Sequence, residues 1–455
     1  MSRLADFVVT ATPPPDARAA AARAVLDTVG VTLAGAAEPA ARIVARVATP
    51  DTTGPCAVLG TRARGIAVAA ALANGTAAHA LDFDDMCFVS LAHPSAPLVA
   101  AALAAAELVD ASGRALLDAY IVGFEIEGRL GRTMNPRHYE RGWHCTSTLG
   151  TIGATAAASR LLGLDADATA HALAIAASEA SGLKENFGTM VKPLHAGLAA
   201  RNGVLAALLA QEGLSASADA IAGAQGFLAA MSSERDSAGF DETLADLHAR
   251  WEIVDTGITV KLYPSCAATH PMLDVLLDLR REHRFAAEDV DAIDVGVDPI
   301  TPTVLIHDHP ATGLQAKFSM PFCAAAAAVR GHVGIETFDD RTLRDPAIAS
   351  VRSRVTTSVD STLDPNAPPL TQARVRVRLR DGRVLERLAS GARGYPERPA
   401  SDDELGRKFV SCATRALPDA AARQALDALR AIDAAPSVRS AIDLVLLKPD
   451  RVEVV

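Results

Sequence analysis

Residues 148–158 read TLGTIGATAAA, a run without a charge in which glycine, alanine and threonine outnumber everything else. Coiled into a helix, this stretch turns small residues to every side and has no polar face to offer water. Such a helix is expected to be ringed by other helices at close approach. The same texture spreads outward. Ala17–Ala34, Gly65–Phe83, Ser95–Ala111, Gly113–Arg132, Thr146–Leu162, Asp167–Ser178 and Pro193–Gln211 all show apolar residues at helical spacing, punctuated by Gly, Pro, Asp and Ser. From Asp16 to about Glu212 the chain therefore reads as a helical body.

The pattern changes near Leu279. Val290–Asp298 (VDAIDVGVD) alternates apolar and polar residues, as a half-buried strand does. Ala373–Leu388 (ARVRVRLRDGRVLERL) is a hairpin signature, with Asp381-Gly382 as its turn. Val351–Val359 offers a third strand, and Ala316–Val329 is a helix between the first two, so the expectation is an antiparallel sheet. Arg374, Arg376, Arg378 and Arg380 share one face of the hairpin and read as a solvated face or a dimer contact, not an RNA-binding strand. Ser401-Asp-Asp-Glu404 is a capping box that opens a return to helix. The expected fold is mainly α: a large helical domain over residues 1–274, a smaller α+β lid domain inserted at 275–395, and C-terminal helices over 396–455 that rejoin the first domain.

Bulk properties narrow the function. The chain has 455 residues, 49% hydrophobic and 4% aromatic, with a net charge of −10. The acidic balance argues against a nucleic-acid partner, which needs a basic stripe. Cys56, Cys87, Cys145, Cys266, Cys323 and Cys412 stand singly, without zinc or iron–sulfur spacing, and read as buried thiols in a reducing compartment. The N-terminus holds no continuous apolar run, and stretches such as Leu98–Ala106 are too short to span a bilayer, so the expectation is a cytoplasmic protein with no membrane partner. Phosphate-loop motifs and H-E-x-x-H are absent, and Ser181–Lys184 matches S-x-x-K without its companion motifs.

Ionisable chemistry concentrates at residues 79–97, HALDFDDMCFVSLAHPSAP, which place Asp82, Asp84, Asp85 and two histidines within fifteen residues. His93-Pro94, His144-Cys145 and Lys192-Pro193 each set a basic side chain at the mouth of a helix, with Thr146 and Ser147 read as caps. Free N–H groups and the partial positive charge of a helix start suit carboxylates. Three such mouths, if they converge, make a cradle for a small polycarboxylate. Lys261 is a fourth basic group before a helix start expected at Ser265. A carboxylate beside His93 would fix its tautomer for acid–base work. Blander readings stand beside these: His79 as a satisfied core histidine, Asp84-Asp85 as helix-end solvation, His195 as a helical surface or supporting residue. A metal at Asp82–Asp85 and His93 has no spaced ligand set elsewhere to support it.

Together these blocks resemble the MmgE/PrpD family: HALDFDD…HPSAP, GFEIEGRLG, RGWHCTSTLGTIGATAAASRLLGL, ASGL…KPLHAGLAARNGVLAALLA, KLYPSCAATH and AKFSMPF follow in the family's order, with a later echo in GYPERPASDDELGRKF. The resemblance implies a homodimer and metal-free, cofactor-free chemistry on small polycarboxylates. It carries the active-site pattern to Asp82, His93, His144 and Lys192, with Lys261, Met86, Thr146, Ser147, His195 and Phe322 as substrate contacts. Met86 stands where threonine is common, and Phe322 where some decarboxylase-like members carry a tyrosine. Both changes remove polar groups. The expected activity is that of a lyase, first a dehydratase of the 2-methylcitrate type, in which Asp82 orients one of His93 or His144 and the other protonates the departing hydroxyl. An epimerase of the iminodisuccinate type, a cis-aconitate-type decarboxylase and a binding protein that has lost catalysis are the alternatives.

Overall fold

The structure is a computed structural model and describes residues 2–50, 53–232 and 237–447. The chain divides into two compact units. One comprises Met1–Glu185, Met190–Thr259 and Ser401–Val455, the other Asn186–Thr189 and Val260–Ala400. Residues 260–274, assigned from sequence to the helical domain, thus belong to the second unit, and residues 448–455 of the expected C-terminal segment lie outside the described residues.

The first unit opens with α1 (Ser2–Thr10), α2 (Pro15–Gly35) and α3 (Pro39–Ala48), then a two-residue antiparallel ribbon of β1 (Cys56–Ala57) and β2 (Arg64–Gly65). It continues through α4 (Ala67–His79), α5 (Ser95–Val109), α6 (Gly113–Met134), α7 (Arg137–Glu140), α8 (Cys145–Leu162), α9 (Ala166–Glu179) and α10 (Val191–Gln211). Helix α4 stops four residues short of the expected Phe83, because Asp82 takes a left-handed backbone (φ 52°) that no helix continues. Helix α8 is buried on every side from Cys145 to Ser159, as its small residues require. Alanines of α4, α5, α8 and α10 make the core between them, among them Ala70, Ala101, Ala154 and Ala200. Helices α4 and α10 approach closely. A Cβ added at Gly75 would lie 2.9 Å from the Gly197 Cα, and one at Gly197 would fall on the Leu72 carbonyl and the Thr76 hydroxyl.

After residue 400 the chain supplies this unit with Asp402–Ala413, Asp419–Arg430 and Arg439–Ile442. The capping box is formed: Glu404 N–H donates to Ser401 Oγ at 3.2 Å, and Ser401 N–H donates to Glu404 Oε2 at 2.9 Å. All six cysteines are buried and free. Among the described residues no single helix is long and apolar enough to cross a membrane.

The second unit carries a four-stranded sheet in the order β4-β3-β5-β6, from β3 (Val290–Val297), β4 (Val355–Val359), β5 (Gln372–Leu379) and β6 (Val384–Ser390). The hairpin β5–β6 turns at Asp381-Gly382, where Gly382 takes φ 89°. The sheet is mixed, not antiparallel as expected, since β4 pairs parallel to β3. Alternation marks a strand but not its direction. The connection through helices Met320–Arg330 and Pro346–Arg352 is long enough to return the chain in the same sense. On β5, Val375 and Val377 are buried, while Arg374 and Arg378 pair with Asp360 and Asp291, which makes the arginine face a salt-bridged one.

Candidate active site

Helix α4 ends at His79, and the irregular loop 80–94 delivers His93 to the start of α5. Within it Asp84 Oδ2 lies 2.7 Å from His79 Nδ1 and 3.4 Å from His93 Nδ1. The other nitrogen of His79, Nε2, is 2.7 Å from Lys192 Nζ in the first turn of α10, and that ammonium also donates to Asp82 Oδ1. Four side chains from two helices and a loop thus form one hydrogen-bonded line, Asp82–Lys192–His79–Asp84, with His93 on its far end. The His79 ring meets His93 edge-on at 4.5 Å and stacks on His144 at 5.7 Å. His144, which leads into α8, faces His195 of α10 with Nδ1 to Nδ1 at 3.0 Å.

Thr146 and Ser147 are not the caps expected of them. The N-cap of α8 is His144, without a side-chain bond to the helix. Thr146 Oγ1 instead accepts from the His93 backbone N–H at 3.0 Å, and Ser147 Oγ donates to the His195 carbonyl at 3.2 Å. These hydroxyls tie the starts of α5 and α8 together and α8 to α10, so the three helix mouths converge.

The same chain matches the model of the MmgE/PrpD N-terminal domain over residues 2–238 and that of the MmgE/PrpD C-terminal domain over residues 263–434. The chain belongs to the MmgE/PrpD family. Among its relatives is a cis-aconitate decarboxylase-like protein of Aspergillus oryzae, 29% identical over 423 residues, which cover 88% of this chain and 87% of the relative. The cis-aconitate decarboxylase of Mus musculus is 28% identical over 361 residues, 76% of this chain and 72% of its own. That of Aspergillus terreus is 24% identical over 453 residues, 95% of this chain and 92% of its own. These likenesses support an MmgE/PrpD-type lyase.

The electrostatics of this MmgE/PrpD chain follow from burial and pairing. Burial alone would raise Asp84, but His79 and His93 outweigh it and hold its carboxyl far below the usual range. Burial lowers His79, against the pull of Asp84. Burial and the Lys192 charge depress His144 well below an ordinary histidine, and burial with the His79 and Lys192 charges lowers His195 to about 4. At neutral pH His79, His144 and His195 are therefore neutral around an anionic Asp84. Behind this layer Asp85 accepts from Ser95 N–H at 3.2 Å and from its hydroxyl, and Ser95 Oγ meets Tyr120 OH at 2.6 Å. Burial, opposed by the Ser95 bonds, pushes Asp85 up to about 7.

Asp82 pairs with Lys192, and the carboxylate facing His93 is Asp84. His79 and Asp84 are the residues sequence reasoning undervalued. The available signal was a buried stretch with three carboxylates and no local cation, whose charges must find partners elsewhere. His195 is buried against His144, not a surface residue. Met86 is buried and exchanges backbone hydrogen bonds with Thr259 at 2.9 and 2.8 Å. Lys261 and Phe322 belong to the second unit, both fully buried, with the Phe322 ring 5.9 Å from that of Phe338. Lys261 precedes a short 3-10 turn at Ala267–Thr269 and a helix from His270, later than the expected start at Ser265. Among the described residues His79, Asp84 and His93 are the group that could hold a cation, their ligand atoms lying within 4.8 Å of one another. The Lys192 ammonium on His79 works against a second positive charge there.

Proposed function

We propose that this chain is a lyase for a small tricarboxylate and that His93, oriented by Asp84, moves the proton. The observation that carries the reading is Asp84 Oδ2 set between His79 Nδ1 and His93 Nδ1 at 2.7 and 3.4 Å. A carboxylate on Nδ1 draws the His93 proton to that nitrogen and leaves Nε2 for acid–base work. Lys192, as an ammonium, donates to His79 Nε2, which places the His79 proton on Nδ1 toward Asp84. The starts of α5, α8 and α10 bring N–H groups suited to the substrate's carboxylates.

The relatives named above move decarboxylation of a cis-aconitate-type substrate ahead of the dehydration expected from sequence. In this reading the C–C bond to one carboxylate breaks and leaves as carbon dioxide. Its electron pair forms a new alkene, and the old alkene pair takes a proton, at the carbon next to another carboxylate, from Nε2 of a doubly protonated His93, which is left as the neutral Nδ1–H imidazole and regains its proton from water. Dehydration of a 2-methylcitrate-type substrate is the second reading, favoured by Phe322, which the resemblance sets where some decarboxylase-like members carry a tyrosine. There the same nitrogen, on the neutral imidazole, removes a proton from such a carbon, and the resulting imidazolium hands that proton to the departing hydroxide, which leaves as water. The test is proton NMR in deuterated buffer with cis-aconitate and 2-methylcitrate in separate tubes. The expected result is carbon dioxide release from cis-aconitate with one deuterium on the product, lost by ~100-fold or more in His93→Gln. A new alkene from 2-methylcitrate without carbon dioxide selects dehydration. Deuterium uptake alone points to an epimerase, and silence in both tubes overturns the lyase reading.

A further inference from the structure

The loop that carries Asp82 and Asp84 is held from the far end of the chain. Lys408, in helix Asp402–Ala413, donates from Nζ to the Phe83 carbonyl at 2.8 Å, and the same ammonium lies 2.7 Å from Asp27 of α2. It also sits 4.2 Å from the centre of the Phe83 ring. Both charged side chains are buried, Lys408 7% and Asp27 1% exposed. Helix Asp402–Ala413 is set against α2 at successive turns: Arg23 pairs with Asp402, Asp27 with Lys408, and Phe409 packs on Gly30, where an added Cβ would come within 2.8 Å of the ring. This docking fixes where the Lys408 ammonium stands.

Phe83 lies between the two carboxylates that meet Lys192 and the histidines. Its neighbour Asp82 holds a left-handed backbone (φ 52°), a conformation uncommon outside glycine that aspartate adopts more readily than most residues. Burying a lysine and an aspartate is costly, and hydrophobic residues would stabilise the same helix contact as well. The pair is better explained by what it holds.

We infer that Lys408 is a positioning residue for the active site: through the Phe83 carbonyl it sets the loop that aims Asp82 at Lys192 and Asp84 at His79 and His93. The inference rests on the functional reading above, so its test has a readout independent of turnover. Asp27→Asn/Lys408→Met removes both charges together and leaves no unpaired ion behind. The double variant is expected to melt near the wild-type temperature and to shift the imidazole 15N resonances of His79 and His93. Its kcat falls by ~10- to 100-fold while KM changes far less. A folded double variant with wild-type kcat and unmoved resonances overturns the inference. Lys408→Arg, which keeps the charge but replaces the ammonium with a planar fork, serves if the double variant does not fold. It is expected to shift the same resonances, and unmoved resonances there overturn the inference equally. If the wild-type chain turns over no polycarboxylate, the functional reading fails while the resonances still decide the role of Lys408.

Discussion

Asp84 offers one oxygen to two imidazoles, and that sharing sets the chemistry of the site. An amide in its place can still turn its carbonyl oxygen toward both rings, but it carries no negative charge, so it holds their Nδ1 protons less strongly than a carboxylate does. Asp84→Asn is therefore expected to remove the charge that balances a protonated His93 and fixes its ring, and to lower kcat by ~10²- to 10⁴-fold. Steady-state kinetics at fixed pH, with a melting curve as control, check it. A folded variant within threefold or so of wild type would remove Asp84 from the mechanism.

At the scale of elements, the site depends on how closely α4 and α10 approach. Helix α4 ends in His79 and Lys192 lies in the first turn of α10, and their 2.7 Å bond spans the gap that Gly75 and Gly197 permit. Gly197→Ala would place a methyl on the Leu72 carbonyl and force the helices apart. The expected loss is ~1–3 kcal/mol, the usual range for overpacking, read as a lower urea midpoint. Activity is expected to fall further than stability, because widening the gap lengthens the Lys192–His79 bond. A variant with weakened stability but unchanged kcat would separate the packing from the site.

Across the whole molecule, buried titratable groups pull stability in opposite directions with pH. His138, held at 2.7 Å from Thr148 Oγ1, is lowered by burial from 6.5 to about 4. The unfolded chain takes up this proton first, so the contribution of His138 is lost as pH falls from about 6.5 to about 4, by roughly 3 kcal/mol in full. Asp85, raised by burial from 3.8 to about 7, has the opposite sign. Its folded form keeps a proton that the unfolded chain releases, and this costs up to ~4 kcal/mol as pH rises through that window. Urea unfolding between pH 4 and 8 checks both. The penalty of His138→Gln is expected to shrink toward pH 4, and Asp85→Asn is expected to gain on wild type toward pH 7. Parallel lines for variant and wild type would show that neither group titrates as described.

The sequence by itself determined the helical body, the α+β insertion with its hairpin, and the basic residues at three helix mouths. Each of these is a local signal: small residues on every side of the helix at 148–158, alternation around Asp381-Gly382, proline beside His93 and Lys192. Tertiary structure alone decided that Asp84, and not Asp82, faces His93, since a left-handed residue breaks any periodicity that could assign side-chain directions along the loop. It alone decided that β4 runs parallel to β3, because alternation carries no direction. It alone brought Lys408 to Phe83, 325 positions away. Periodicity is written along the chain, whereas a buried charge takes whichever partner the packing of distant helices sets within reach.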